Sequence, residues 1–492
     1  MMQEHFDVVI IGGGLSGIDA GYHVQTNCPG KSYVILEGRD AIGGTWDLFR
    51  YPGIRSDSDM YTFGYSFRPW QSNVAIADGD SIRTYIRETA QAYGIDRKIR
   101  FRHQVKSASW SSADALWTVE AERGPEREPV RFTCNFLFGC TGYYDYAGGY
   151  TPEFAGTETF AGRIVHPQKW PQNLDYAGKR VVVLGSGATA VTIVPVMAKT
   201  AAHVTMLQRS PTYVLSRPAQ DALADRLGRH LPAKLAYGIA RWRNVLMGLY
   251  FYNLCRRKPE AIKHWIVAQV REQLGPDFDV KTNFTPRYKP WDQRMCFVPD
   301  ADLFHAIKAG QAAVVTDEIE TFTPTGVRLK SGKELAADII VTATGLKLQL
   351  LGGMQLFVDG KPIDFAKTTN YKGVMFSDVP NLASAFGYTN ASWTLKCDLT
   401  SAYISRLINY MDKKGYVQCT PRQRDPSIGQ EPLIDFSSGY IQRAIDQFPR
   451  QGSKKPWKLY QNYVLDLVSL RFGAVDDGAL EFSRRSAMKK AA

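Results

Sequence analysis

Cysteine is scarce and unpaired in this sequence: seven residues among 492, scattered from Cys28 to Cys419, odd in number and without the close spacings of a metal site. That argues against a disulfide framework and against a bound metal, and it points to a reducing, cytoplasmic setting. Long apolar runs are missing as well. The most apolar internal stretch, Val245 to Cys255, is about half of the ~20 residues a membrane-spanning helix needs. The opening residues, MMQEHFDVVIIGGG, pass straight into a strand pattern without the basic segment, apolar core and cleavage site of an export signal, so secretion is not expected. Charge is unbalanced, at a formal +12, but the positive residues are dispersed and no nucleic-acid-binding motif accompanies them. A nucleic-acid partner is therefore not expected, and a protein that binds anionic cofactors is the simpler reading. One basic cluster stands out, with Arg241 and Arg243 before the apolar run and Arg256, Arg257 and Lys258 after it. Two readings stay open for it: a helix in peripheral contact with lipid, or a solvated helix packed on its own domain.

What is present is an ordinary globular composition, 44% hydrophobic, in a chain long enough for two or three domains. Its strongest signal is DVVIIGGGLSGIDAGYHV, residues 7 to 24, where a short apolar strand runs into Gly12, Gly14 and Gly17 at GxGxxG spacing before a helical pattern. Gly12 makes the tight turn, Gly14 lets a pyrophosphate approach the backbone, and Gly17 allows the helix to pack on the strand. The phosphates then sit at the positive end of the helix, with Ser16 among the expected cofactor-binding residues. A second apolar run, YVILE, ends in Glu37, and 37 minus 17 is 20, the separation at which a carboxylate reaches the ribose hydroxyls of an adenine dinucleotide.

A second unit follows at RVVVLGSGATAVTIVP, with Gly185, Gly187 and Ala190 in a GxGxxA variant and Ser186, Ala188 and Thr189 filling the turn. Its next strand ends in Gln208, Arg209 and Ser210 rather than in an acid. A guanidinium can pair with a 2′-phosphate where a carboxylate would repel it, so the second nucleotide is expected to be NADPH. The alternative for Arg209 is a surface salt bridge. Two such units, one with an acid and one with an arginine, suggest a flavoprotein that takes electrons from NADPH. The segments FLFGCTGYY and DIIVTATGL, each a buried strand ending in Thr-Gly, mark where the chain leaves one nucleotide domain and re-enters the other. The expected fold is α/β with two Rossmann-like domains. A first domain for FAD is discontinuous, residues 1–148 and 340–492, and the NADPH domain, 149–339, is inserted in it with a helical segment at about 220–276. Those helices either cover the active site or thicken the domain.

FAGRIVHPQKWP, residues 160 to 171, lies between the two units and carries Phe160, Gly162, His166, Trp170 and Pro171. It matches the FxGxxxHxxxWP fingerprint of the Baeyer-Villiger monooxygenases, class B flavoprotein enzymes that the chain resembles over nearly its whole length. GGTW at 43–46, RYPGIRSDSDMY at 50–61, WDQR at 291–294 and NASWT at 390–394 extend the match. A histidine and a tryptophan four apart would otherwise read as helix packing. The resemblance implies that the fingerprint couples NADPH placement to domain rotation, with His166 bonded to nearby backbone and Trp170 anchoring the hinge. It implies that Gly44, Thr45, Trp46, Asp47, Arg55, Ser56, Asp57 and Val105 join the FAD site. It also implies that Arg294 is the active-site cation, paired with Asp57, and that Ser392, Trp393 and Thr394 line the ketone pocket.

The implied reaction uses NADPH and O2 to convert ketones, linear aliphatic ones first, to esters through a flavin C4a-peroxide, with sulfoxidation as a side activity. A fixed cation favours the peroxide anion and the adduct oxyanion, an effect often worth about 3 kcal/mol per donor. Three alternatives stay open: a flavin monooxygenase acting mainly on nitrogen or sulfur, an NADPH-dependent disulfide reductase, other flavin reductase or electron-transfer flavoprotein, and a non-catalytic nucleotide sensor. The reductase would need a cysteine pair near the flavin, and Cys134 and Cys140 are the nearest candidates. Arg294 has the alternative of a structural ion pair, and Trp393 that of core packing. One position departs from the family: Gln293 stands where many members have a lysine that helps to bind the 2′-phosphate.

Overall fold

The computed structural model describes residues 4–485. Two sheets organise it. The first runs, in spatial order, Lys361–Pro362, Gln355–Val358, His103–Ser111, Leu116–Arg123, Glu128–Gly139, Glu4–Ile11, Tyr33–Leu36 and Ile99–Arg100, with Leu382–Ser384 also paired to Glu128–Gly139. Its central strands are parallel, Glu4–Ile11 lying between Tyr33–Leu36 and Glu128–Gly139. Val8, Val9, Ile10 and Ile11 are all buried, which is why the run is continuous rather than alternating: helices cover one face and an antiparallel layer the other. The second sheet is wholly parallel, in the order Ala312–Thr316, His203–Gln208, Arg180–Leu184, Ile339–Thr342, Arg163–Val165.

The chain passes from the first sheet to the second after Gly139 and returns after Thr342. A boundary drawn between 339 and 340 cuts the strand Ile339–Thr342, which pairs with Arg180–Leu184 and belongs to the second sheet. The fingerprint is part of the second sheet's edge: Arg163–Val165 pairs with Ile339–Val341, and a short turn at Pro167–Lys169 follows. Gly162 is needed there because a Cβ would lie 2.4 Å from the Asp338 carbonyl and 2.5 Å from the Phe160 ring. Phe160 itself is core, packed with Val182, Leu184 and Phe322.

Helices Ala222–His230, Ala233–Arg257 and Pro259–Leu274 form the helical segment. The middle one reaches across to the first domain, where buried Arg241 donates to the carbonyls of Tyr61 (2.9 Å), Thr62 (3.3 Å) and Gly64 (2.8 Å). Arg241, one of the flanking cations in the sequence, therefore points inward. A long helix, Trp393–Lys414, packs on Leu15–Asn27 and closes the first core. Among the described residues no helix is long and apolar enough to cross a membrane.

Candidate active site

A cavity of about 1410 Å³ opens between the two sheets and takes in the glycine turns of both. The first turn is fixed sterically. Gly12 has φ +104°, and a Cβ on it would meet the Cys140 carbonyl at 2.6 Å. A Cβ on Gly17 would lie 1.9 Å from the Gly12 oxygen, so only glycine allows this helix to approach this strand. Gly14 faces Gly44 across the cavity floor, and a Cβ on Gly44 would be 3.1 Å from the Gly14 Cα. The helix Leu15–Asn27 begins with no side-chain cap and no acid in its first turn, which leaves its amides free for an anion. Glu37 closes the far end: it is 6% exposed, and its carboxylate accepts from the amides of Gly13 (2.6 Å) and Arg39 (2.8 Å). Burial raises its pKa, and these two amides oppose the shift.

The second turn repeats the plan in looser form. Gly185 has φ +132°, and its Cβ would meet the Ala343 carbonyl at 2.4 Å, whereas nothing lies within 4 Å of a Cβ on Gly187. The helix Ala188–Met197 also starts without a side-chain cap or an acid. Arg209 and Ser210 are exposed on the cavity rim, opposite Asp317 and Glu318.

Arg294 and Asp57 meet between the two clefts. The arginine Nε donates to Asp57 Oδ2 and its Nη2 to Oδ1, each at 2.9 Å. The carboxylate raises the arginine pKa above its already high ordinary value. Two of the five guanidinium donors are used in this fork. The side chain is 36% exposed and lines the cavity, so donors remain for a ligand. Tyr143, Tyr144 and Tyr440 stand around it, and the Tyr143 and Tyr144 hydroxyls share a 2.8 Å hydrogen bond.

Trp393 forms an aromatic wall. Its ring stacks on Tyr143 at 5.1 Å and 15° and contacts Phe386 at 5.5 Å. Its Nε1 donates to Ser16 Oγ at 2.8 Å, and Gly387 makes room for it, since a Cβ there would be 2.4 Å from the indole. Trp393 is thus packed on one side and faces the cavity on the other.

Most of the residues singled out in the sequence line this cavity: Gly12, Gly14, Ser16, Glu37, Gly44, Thr45, Trp46, Arg55, Ser56, Asp57, Val105, Gly185, Ser186, Gly187, Ala188, Thr189, Arg209, Ser210, Gln293, Arg294 and Trp393. Others stand behind the wall. Gln208 turns away, donating to Asn283 O (2.7 Å) and Thr316 Oγ1 (2.8 Å), because adjacent strand residues point to opposite faces. Asp47 is buried against Arg39 and Arg50. Thr394 is fully buried and donates to the Phe63 carbonyl, and the Ser392 hydroxyl is held by Thr62 at 2.6 Å. Gly17 and Ala190 act through packing, and neither faces the cavity.

His166 accepts at Nδ1 from the Gln168 amide (3.1 Å), while its Nε2 has no hydrogen-bond partner among the described residues. Burial lowers its pKa, in keeping with a neutral ring. Trp170 packs on the core of the second sheet. Cys134 and Cys140 belong to different cores, which leaves a dithiol pair without a geometry.

Arg39, Tyr440 and Arg443 were not anticipated. Arg39 donates to Gly44 O (3.2 Å) and Asp47 Oδ2 (2.7 Å), and its place two residues after the strand-end acid was an available signal. Arg443, over the Tyr150 ring at 3.5 Å, and Tyr440 arrive from the C-terminal segment, where nothing in the sequence pattern announces them.

The sequence matches the flavin-binding monooxygenase-like family over residues 76–352, and an NAD(P)-binding Rossmann-like domain over residues 10–73. The chain belongs to the flavin-binding monooxygenase-like family. Relatives of this monooxygenase-family chain include the FAD-containing monooxygenase EthA of Mycobacterium tuberculosis, 52% identical, with 99% of each chain covered. The probable FAD-binding monooxygenase AlmA of Acinetobacter baylyi is 48% identical, with 99% of this chain and 97% of the relative covered. Among solved structures, an oxidized steroid monooxygenase bound to NADP superposes with TM-score 0.75 at 20% identity, covering 98% of this chain and 100% of the other. An open structure of cyclohexanone monooxygenase gives 0.73 at 20% identity with the same coverage. At that identity the likeness establishes a shared fold with two dinucleotide-binding domains.

Proposed function

We propose that this family member is an FAD- and NADPH-dependent Baeyer-Villiger monooxygenase that converts ketones to esters, with oxidation of sulfides as a side reaction. The observation that carries the proposal is the Arg294–Asp57 fork at the cavity wall between the two glycine turns. The first cleft fits FAD: Gly12, Gly14 and the uncapped helix start offer amides to its pyrophosphate, and the Glu37 carboxylate has lone pairs left for ribose hydroxyls. The second fits NADPH through Gly185, Gly187 and the cation of Arg209. When bound, the flavin accepts hydride from NADPH and activates O2.

The chain's own residues handle charge and water. Arg294 holds a permanent positive charge where negative charge would develop on the ketone oxygen, and Asp57 fixes the guanidinium through two hydrogen bonds. Trp393 and Tyr143 shed water from the cavity wall, with Phe386 packed against both from behind. His166, neutral and half-buried at the edge of the second sheet, fixes the turn that follows Arg163–Val165 rather than transferring protons.

The test is product identification with purified protein, NADPH, labelled O2 and panels of linear ketones, cyclic ketones and sulfides. Esters carrying one labelled oxygen are expected. Oxygenated sulfides with no ester from any ketone would move the assignment to the nitrogen- and sulfur-oxidising reading, and hydrogen peroxide alone would remove both. Arg294→Ala is expected to keep its bound flavin and to lose ester formation by roughly 100-fold or more, the usual cost of deleting one preorganised donor. Ester formation at the unaltered rate would make Arg294 a structural ion pair.

A further inference from the structure

The helix Ala233–Arg257 reverses the usual rule for a surface helix. Leu235, Ile239, Trp242, Leu246 and Tyr250 recur at spacings of four, three, four and four, so they share one face, and that face is in solvent. Leu246 is 52% exposed and Tyr250 69% exposed, where an amphipathic helix normally turns polar residues outward. The opposite face, with Tyr237, Ala240, Arg241 and Val245, is the one packed on the protein. A second apolar stripe lies beside it: Leu465, Val468 and Phe472, the last 70% exposed, belong to the segment whose Tyr463 ring meets Trp242 at 5.8 Å. Contiguous exposed apolar surface of this kind marks a docking site.

The charge around the patch identifies the occupant. Ala233–Arg257 contains no acid; of its five basic residues Arg241 is buried on the inner face and Arg243 and Arg256 are ion-paired with Asp221 and Asp292, which leaves Lys234 and Arg257 at its two ends. Lys234 stands at one end of the stripe, Arg257 and Lys258 at the other, and Arg471 beside Phe472, all exposed. The one acid of the neighbouring turn, Asp466, is turned inward, where it accepts from Tyr388 Oη (2.6 Å) and Lys396 Nζ (2.9 Å). A second copy of the chain would be a poor cover. Antiparallel contact would set Lys234 against Arg257 and Lys258, and parallel contact would set each cation against itself.

We infer that this face docks on an anionic lipid bilayer, with the two apolar stripes among the acyl chains and the flanking lysine and arginine side chains on the headgroup phosphates. The stripe lies one side-chain layer from the cavity, since Val245 on its inner face packs on Tyr388, which lines the cavity wall. Docking would therefore bring a bilayer-dissolved, lipophilic ketone beside the site. That consequence rests on the proposed function, whereas the docking itself does not.

The experiment is flotation of the full-length flavoprotein with vesicles of phosphatidylglycerol and phosphatidylcholine, against vesicles of phosphatidylcholine alone. The protein is expected to float with the anionic vesicles, to release in high salt, and to lose at least tenfold in partition in the double variant Trp242→Ser, Leu246→Ser. Phe472→Ser, on the other stripe, is expected to lose severalfold and guards against a folding defect in the first variant, with flavin content reporting the fold of both. Absence of wild-type flotation, or flotation unchanged by both substitutions, overturns the inference. A concentration-dependent dimer that Leu246→Ser breaks, without vesicle binding, also overturns it and assigns the face to a second copy.

Discussion

The two nucleotide clefts are built on one plan and differ in tightness. In each, a glycine with positive φ abuts the carbonyl of the strand that leads out of the sheet: Gly12 against Cys140, Gly185 against Ala343. In the first, Gly17 leaves no room even for a methyl group, Leu15 and Ser16 are buried, and the charged residue, Glu37, sits inside under two amides. In the second, the corresponding position is Ala190, the turn residues Gly187 and Ala188 are exposed, and the charged residue, Arg209, is on the rim. Steric closure around the first suits a cofactor that stays through many turnovers. An open turn with an exposed cation suits a ligand that enters and leaves each cycle.

The largest effect should come from filling the tight cleft. Gly17→Ala places a methyl 1.9 Å from the Gly12 oxygen, and backbone against backbone cannot yield cheaply. A loss of about 3 kcal/mol, the upper end for overpacking, and purification without flavin are expected, read by thermal unfolding and visible absorbance. The mirror change, Ala190→Gly, should cost only about 1 kcal/mol of helix propensity and leave flavin content unchanged. Equal losses in the two variants would erase the difference between the clefts.

A smaller effect belongs to the open cleft. Arg209→Ala should raise the KM for NADPH about tenfold, the low end for a charge-assisted pair because the side chain is exposed. The KM for NADH should hardly move, and the NADPH effect should shrink as salt is added. Equal changes for both cofactors would place the 2′-phosphate elsewhere, with Arg443 the next cation on the cavity wall to replace.

The clefts were legible in the sequence because their constraints are local. A glycine turn, its helix and the strand-end residue lie within some thirty residues, and each position has a steric reason that side-chain chemistry cannot replace. The Arg294–Asp57 pair spans 237 residues of chain, and no spacing rule joins them; it was found by resemblance to a family. Gln208 and Thr394 were misplaced for one reason. A neighbour of a cavity-lining residue on a strand or helix points elsewhere, so Gln208 bonds to Asn283 while Arg209 faces the rim, and Thr394 donates to a buried carbonyl while Trp393 faces the cavity. The apolar stripe of Ala233–Arg257 was hidden differently. An apolar run between cations is visible in the sequence, but which face turns outward is decided by Arg241, whose three carbonyl partners belong to residues 61 to 64.

The smallest expected effect compares how each sheet secures a strand entry. In the first, Asp7 accepts from the Ser32 amide (2.8 Å) and hydroxyl (2.7 Å). In the second, Asp338 accepts from the Arg180 amide (2.8 Å), Nε (3.2 Å) and Nη2 (2.7 Å). The arginine side chain, then its amide, holds the Asp338 carboxyl down at about 2, from an ordinary 3.8. A carboxylate with a depressed folded-state pKa contributes stability that is fully present above 3.8 and is lost as pH falls towards 2. Both partners are substantially exposed, so solvent screening should keep the contribution small. Asp338→Asn should accordingly melt slightly below the parent protein at pH 6, and the gap should narrow steadily below pH 4 as the parent carboxylate takes up its proton. A gap that stays constant down to pH 3 would mean that the asparagine disturbs packing at the strand entry, and that the ion pair with Arg180 adds nothing to the second sheet.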